Sequence, residues 1–216
     1  MSGTETETET GTETGWQASR AATDREALLA AALEPTAEWL ESIFGAGSLW
    51  RPTEDELPER LEDTDSRTFL TEVGFPSVHL SFLDYDSTDL TKDGPWSEDP
   101  DELFGNRYPD DDSPPKSYAY GMGESMGYSL MLLGDRGSVS LYDPNGWDHA
   151  AGYAGHVADS LPLLAGALGL WASFESRLFG DDHDAVLREV RELIDEIEPV
   201  EGCRFWEEIF QWLEDQ

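Results

Sequence analysis

Fifteen consecutive residues without a charge, SLPLLAGALGLWASF at 160–174, stand in a chain of which 28% is charged. Ser160, with Pro162 just inside, marks a helix start. The stretch is shorter than the roughly 18 residues a spanning helix needs, so it reads as a helix buried inside a protein. Such a helix has no face to offer water. The rest of the chain must supply what covers it.

The covering elements are legible on both sides. TDREALLAAAL opens with a capping box, Thr23 and Glu26. TAEWLESIFG (36–45) gathers Trp39, Leu40, Ile43 and Phe44 on one side and stops at Gly45. TEDELPERL carries another capping box at Thr53 and Glu56, interrupted by Pro58. DSRTFLTEVGFP (65–76) predicts a helix capped by Asp65 or Ser66, with Phe69, Leu70 and Val73 inward. Gly74 takes its left-handed end and Pro76 forbids continuation. SVHLSFL (77–83) alternates as a strand with Val78, Leu80 and Phe82 on one side and His79 outward.

SYAYGM, YSLMLLG and SVSLYDP follow as strands, the last two joined through GDRG (134–137). HAAGYAGHVA (149–158) is a further strand of small residues. Downstream, DDHDAVLREVRELIDEIEP presents Val186, Val190, Leu193, Ile194 and Ile197 as one stripe. RFWEEIFQWLED does the same with Phe205, Trp206, Ile209, Phe210 and Leu213. Helices at both ends around a mid-chain run of strands predict a single α+β domain, residues 19–216, with a central antiparallel or mixed sheet. Residues 1–18, a Thr-Glu tract, have nothing to bury and read as a disordered tail. Residues 84–112 hold eleven acids against two bases and read as a long irregular acidic loop, with one helical turn near DELF (101–104).

The balance of 47 acidic to 13 basic residues gives a net charge of −34. Such a surface repels nucleic acid and anionic lipid and attracts basic proteins. Charge alone fits high-salt life or simple solubility just as well. One cysteine, Cys203, excludes an internal disulfide framework. With no signal peptide legible at the start, a soluble, cytoplasmic protein is expected.

Chemistry-bearing motifs are weak. GESMG (123–127) matches the G-x-S-x-G elbow of serine hydrolases and would make Ser125 the nucleophile, with His149, His156 and His183 downstream. The long helix that must follow an elbow is replaced by seven residues and a glycine-bounded turn. DDHD (181–184) reads as acids at a helix start rather than a metal site. DDD (110–112) lacks calcium-loop spacing. The eight tryptophans read as core. No catalytic set, cofactor site or metal site is expected.

The stretch 65–76 resembles a signature of the SUKH superfamily of bacterial immunity proteins: a helix with Arg and Leu, closed by Gly-Leu-Pro before a strand. Arg67, Phe69, Leu70, Gly74 and Pro76 carry the match, with Phe75 where leucine is usual. Phe44-Gly45 and Leu57-Pro58 precede it, and YSLMLLGDRGSVSLYDP resembles the family's sheet centre. VADSLPLLAGAL resembles its strand-to-helix step, with Asp159-Ser160 where many members have Asn-Ser. The final helix matches its closing aromatic pair, so the resemblance spans roughly residues 35–216. Two departures are the length of 84–112 and Asp159 itself.

The resemblance implies a non-enzymatic domain that binds and neutralises a cognate toxin, often a nuclease or deaminase, commonly basic because its substrate is a polyanion. Asp84, Asp86, Asp110, Asp111, Asp112, Asp143 and Asp148 are the candidate docking acids, because loops on a rigid sheet are where binding residues tend to lie. Arg67, Leu70, Gly74 and Pro76 are the fold-signature residues. A serine hydrolase using Ser125, or a regulatory scaffold of the same fold without a toxin, are the alternatives.

Overall fold

A computed structural model describes residues 24–108, 110–146 and 152–215. The tail, Thr23 and part of the stretch 149–158 lie outside them. The uncharged stretch forms the central helix, labelled α6 here after five shorter ones. In chain order the helices are α1 (24–33), α2 (Ala37–Phe44), α3 (Thr64–Glu72), α4 (Leu90–Asp93), α5 (Pro100–Leu103), α6 (Leu161–Glu175), α7 (His183–Ile197) and α8 (Arg204–Glu214). Ser160 caps α6, its hydroxyl accepting from Leu163 N at 3.4 Å. Trp171 is fully buried and packs 6.2 Å from Trp206 and 5.7 Å from Phe210 of α8. Burying a side chain of this kind contributes roughly 2–3 kcal/mol.

Two glycines let α1 and α2 cross α6 at close range. A Cβ on Gly166 would stand 1.8 Å from the Ala32 carbonyl oxygen. One on Gly169 would meet the Trp39 ring at 2.7 Å. α7 and α8 bury the apolar stripes read from the sequence: Val186, Val190, Leu193, Ile194 and Ile197, then Phe205, Trp206, Ile209, Phe210 and Leu213.

The sheet is antiparallel throughout. Its strands are β3 (His79–Leu80), β4 (Tyr85–Asp86), β5 (Ser97–Glu98), β6 (Ala119–Ser125), β7 (Tyr128–Leu133), β8 (Val139–Tyr142) and β9 (Tyr153–Ala158). They lie in the order β3-β4-β6-β7-β8-β9, and β5 pairs further along the same edge of β6. A separate pair, β1 (Leu49–Trp50) and β2 (Phe75–Pro76), joins the end of α3 to the chain after α2. Tyr120, Met122, Leu130, Leu132, Val139, Leu141 and Val157 enter the core shared with the helices. Ala119, Met131 and Leu133 face the other way, against Leu103 and Phe104.

Several local expectations are corrected. α3 begins two or three residues earlier than a cap at Asp65 or Ser66 would place it. Asp63 is the cap and its carboxylate accepts from Ser66 N at 2.7 Å. The strand expected over 77–83 is two residues long, because Ser81–Leu83 turn into a 3₁₀ segment that buries Leu83 instead of continuing the alternation. Half of the Thr53–Glu56 box forms, with Thr53 N donating to Glu56 Oε2 at 2.8 Å. The Thr53 hydroxyl donates to the same oxygen while Glu56 N donates to the Thr53 carbonyl, and the segment closes only a turn. Pro58 has no N–H with which to extend it. Residues 84–112 are not one irregular loop. They supply β4, α4, β5 and α5, and the part from Trp96 to Arg107 crosses the outer face of the sheet.

That crossing is pinned by an ion pair. Asp99 caps α5, accepting from Asp101 N at 2.9 Å, and its side chain is only 3% exposed. Arg107 Nη1 stands 2.9 Å from Asp99 Oδ2 at an angle short of a hydrogen bond, so charge alone holds that oxygen. Trp96 lies over Gly121 of β6, where a Cβ would meet its indole nitrogen at 2.1 Å.

Candidate partner-binding surface

The candidate acids divide between two ends of the sheet. The register sets Tyr85 opposite Ser125, Ser125 opposite Tyr128, and Ser129 opposite Tyr142. Asp84, Asp86 and Asp143 therefore share one end. β4 and β8 are three strand spacings apart, roughly 15 Å. Asp110, Asp111 and Asp112 lie on the linker that re-enters the sheet at Ala119, the far end of β6 from Ser125. Asp148 lies outside the described residues.

Three of the described acids, Asp86, Asp111 and Asp143, hold turns through side-chain hydrogen bonds. Asp84 is exposed in the left-handed conformation, φ 45°, between the 3₁₀ turn and β4. Asp86 accepts from Thr88 Oγ1 at 2.6 Å and Thr88 N at 2.9 Å, and those bonds hold its carboxyl below the usual carboxylate range. His79, exposed as expected, stands 3.5 Å away. Asp111 is held down in the same way by the Ser113 hydroxyl and N–H. Asp143 accepts from Asn145 N at 2.8 Å. Asp86 and Asp111 are exposed, and Asp143 is partly so.

The edge of β6 adds residues that the sequence did not single out. A cleft of about 360 Å³ is lined by Asp86, Asp89, Glu124 and the half-exposed Trp96, over the bare backbone of Gly121 and Gly123. Three carboxylates around an indole offer charge and a π face together, the combination that suits a lysine or arginine. No spacing rule connects these positions, which meet only through the β4–β6 pairing.

Ser125 is not an exposed nucleophile. It is 1% exposed and donates to the Leu83 carbonyl at 2.5 Å. Met126 and Gly127, with φ of 52° and 83°, form the two-residue hairpin that joins β6 to β7. GESMG is thus the tip of a hairpin. DDHD also behaves differently from a capping set. Asp182 occupies the cap position without a side-chain hydrogen bond, while His183 Nδ1 lies 2.8 Å from the Leu178 carbonyl. Of the tryptophans, Trp171 and Trp206 are fully buried, whereas Trp96 and Trp212 are more than 40% exposed.

A family model for the SUKH-4 immunity protein matches residues 35–211, well over half the chain. The chain belongs to the SUKH-4 immunity protein family. No curated protein and no solved structure matches it. Membership makes it an immunity protein, whose task is to neutralise a toxin. No helix among the described residues is long and apolar enough to cross a membrane.

Within this SUKH-4 protein the signature residues have structural roles. Arg67 donates to the Leu61 carbonyl at 3.0 Å and pairs with Glu54, tying α3 to the preceding turn. Leu70 is buried in the main core. Gly74 has φ 90°, and a Cβ there would press on Arg51 Cβ at 3.0 Å and the Trp50 carbonyl at 3.1 Å. The Pro76 carbonyl accepts from the buried Ser87 hydroxyl at 2.8 Å. Asp159, the departure from asparagine, stands with its Oδ1 3.1 Å from His156 Nε2, and its N–H donates to Glu198 Oε1 at 2.6 Å. Burial, then the charge of Asp159, pushes the Glu198 carboxyl above its ordinary range.

Proposed function

We propose that this immunity protein neutralises a basic toxin, such as a nuclease or deaminase, by direct non-enzymatic binding in the cytoplasm. The observation behind the proposal is the net charge of −34 in a family whose role is toxin neutralisation. A toxin that acts on a polyanion carries a basic surface, and an acidic partner reaches it quickly by long-range attraction. The docking acids are Asp84, Asp86, Asp110, Asp111, Asp112, Asp143 and Asp148, joined by Asp89 and Glu124 at the β6 edge. The burial of Ser125 in a hairpin argues against the hydrolase alternative.

The test is surface-based kinetics against the product of the adjacent gene, at low and high salt. Screening acts over roughly 8 Å at physiological ionic strength, so steered association weakens as salt rises while close contacts persist. Neutralising Asp110, Asp111 and Asp112 together should slow association several-fold more than it speeds dissociation, with melting unchanged. Salt-insensitive association that ignores the triple change would assign the charge to solubility and move docking to another face.

A further inference from the structure

We propose that His156, Asp159 and Glu198 bind one divalent transition-metal ion of the zinc class. The three side chains come from two places far apart in sequence: the end of β9 with its step into α6, and the residue that closes α7. One donor atom from each lies within 4.8 Å of the others, and the closest pair, His156 Nε2 and Asp159 Oδ1, is 3.1 Å apart. Ligand atoms around a tetrahedral zinc ion lie roughly 3.3 Å from one another. The set needs only side-chain adjustment to close on an ion.

The chemistry of the donors selects the class of metal. An imidazole with two carboxylates suits zinc and its neighbours, whereas calcium and magnesium favour all-oxygen sites. The surroundings favour a cation. Glu198 is a carboxylate only 3% exposed, set at the C-terminal end of α7, where the helix dipole is negative and the last turn holds no basic residue. The His156 and Asp159 side chains are 41% and 81% exposed, and the imidazole also lines a cleft of about 460 Å³ beside Tyr153 and Arg136, so the site is reached from solvent. Bound there, it would tie the β9–α6 step to the end of α7, beside the Cys203 thiol that rests on the His156 carbonyl at 3.3 Å.

The experiment uses the full chain, stripped with chelator and titrated with zinc and with cobalt in millimolar magnesium, which occupies the exposed carboxylates. The expected result is one equivalent bound, a visible cobalt band of low-coordinate geometry and a rise in Tm that saturates at one equivalent. His156→Gln and Glu198→Gln should each weaken binding about tenfold or more and remove the band, while His183→Gln should change neither. If Glu198→Gln fails to fold, His156→Gln decides, because that imidazole is 41% exposed and outside the core. Uptake of several equivalents that is indifferent to His156→Gln, uptake abolished by magnesium, or no uptake at all would each overturn the site.

Discussion

The two faces of the sheet are covered by different means. On the inner face, Tyr120, Met122, Leu130, Leu132 and Val157 share one large apolar cluster with the three long helices. On the outer face, residues 95–107 bring one indole, Leu103 and Phe104, and they hold position through a buried ion pair and a capped single turn. The inner face is secured by area spread over many buried side chains. The outer face is secured by a few directed contacts, and each of them matters. A layer of the second kind should open locally before the domain unfolds.

The largest effect should come from adding a methyl group to the inner layer. Gly166→Ala places a Cβ 1.8 Å from the Ala32 carbonyl, a backbone atom inside α1 that cannot rotate away. α1 must move off α6, at a cost of about 3 kcal/mol even after the roughly 1 kcal/mol gained from alanine's helix propensity. A urea midpoint indistinguishable from the parent would show that α1 does not cross α6 at this glycine.

Removing one partner of the outer pin should cost less and act locally. Arg107→Ala strands the Asp99 carboxylate in a nearly closed site, at about 2 kcal/mol. Hydrogen exchange should accelerate over residues 97–104 and leave α6 protected. Asp99→Asn together with Arg107→Met should restore most of the loss, since no buried charge is left unpaired. If α6 loses protection in step with 97–104, the two layers form one cooperative unit and the contrast between them fails.

The same contrast explains what could be read in advance. α7 and α8 were legible because each repeats an apolar stripe over three or four turns, and α6 because fifteen residues run without a charge. Gly74 was legible because helix exit and proline stop are local devices. Residues 84–112 misled, since acids and turn-formers dominate their composition while Tyr85, Ser97 and Glu98 pair with β6 through long-range register alone. The capping box at Thr53 shows the converse: half of it forms, but Pro58 ends the helix it would start. Functional residues were least legible. His156 and Asp159 sit three apart in sequence, but Glu198 joins them only once α7 has packed against β9 and α6. The cleft formed by Asp89, Trp96 and Glu124 likewise depends on which strand edge meets which.

The smallest effect should come from the same methyl group on the outer layer. A Cβ on Gly121 would meet Trp96 Nε1 at 2.1 Å, an overlap nearly as severe as that at Gly166. Here the obstructing group is a side chain 44% exposed, free to swing toward solvent while the Gly121 N–H keeps its 2.9 Å bond to the Trp96 carbonyl. Gly121→Ala should therefore cost about 1 kcal/mol or less, chiefly the lost burial of the indole. A double-mutant cycle separates this account from simple strand disruption. With Trp96→Ala already in place, Gly121→Ala should become nearly neutral, because nothing is left to displace. An unchanged penalty in that background would mean the cost arises in the β6 backbone, and the outer layer would then be as unyielding as the inner one.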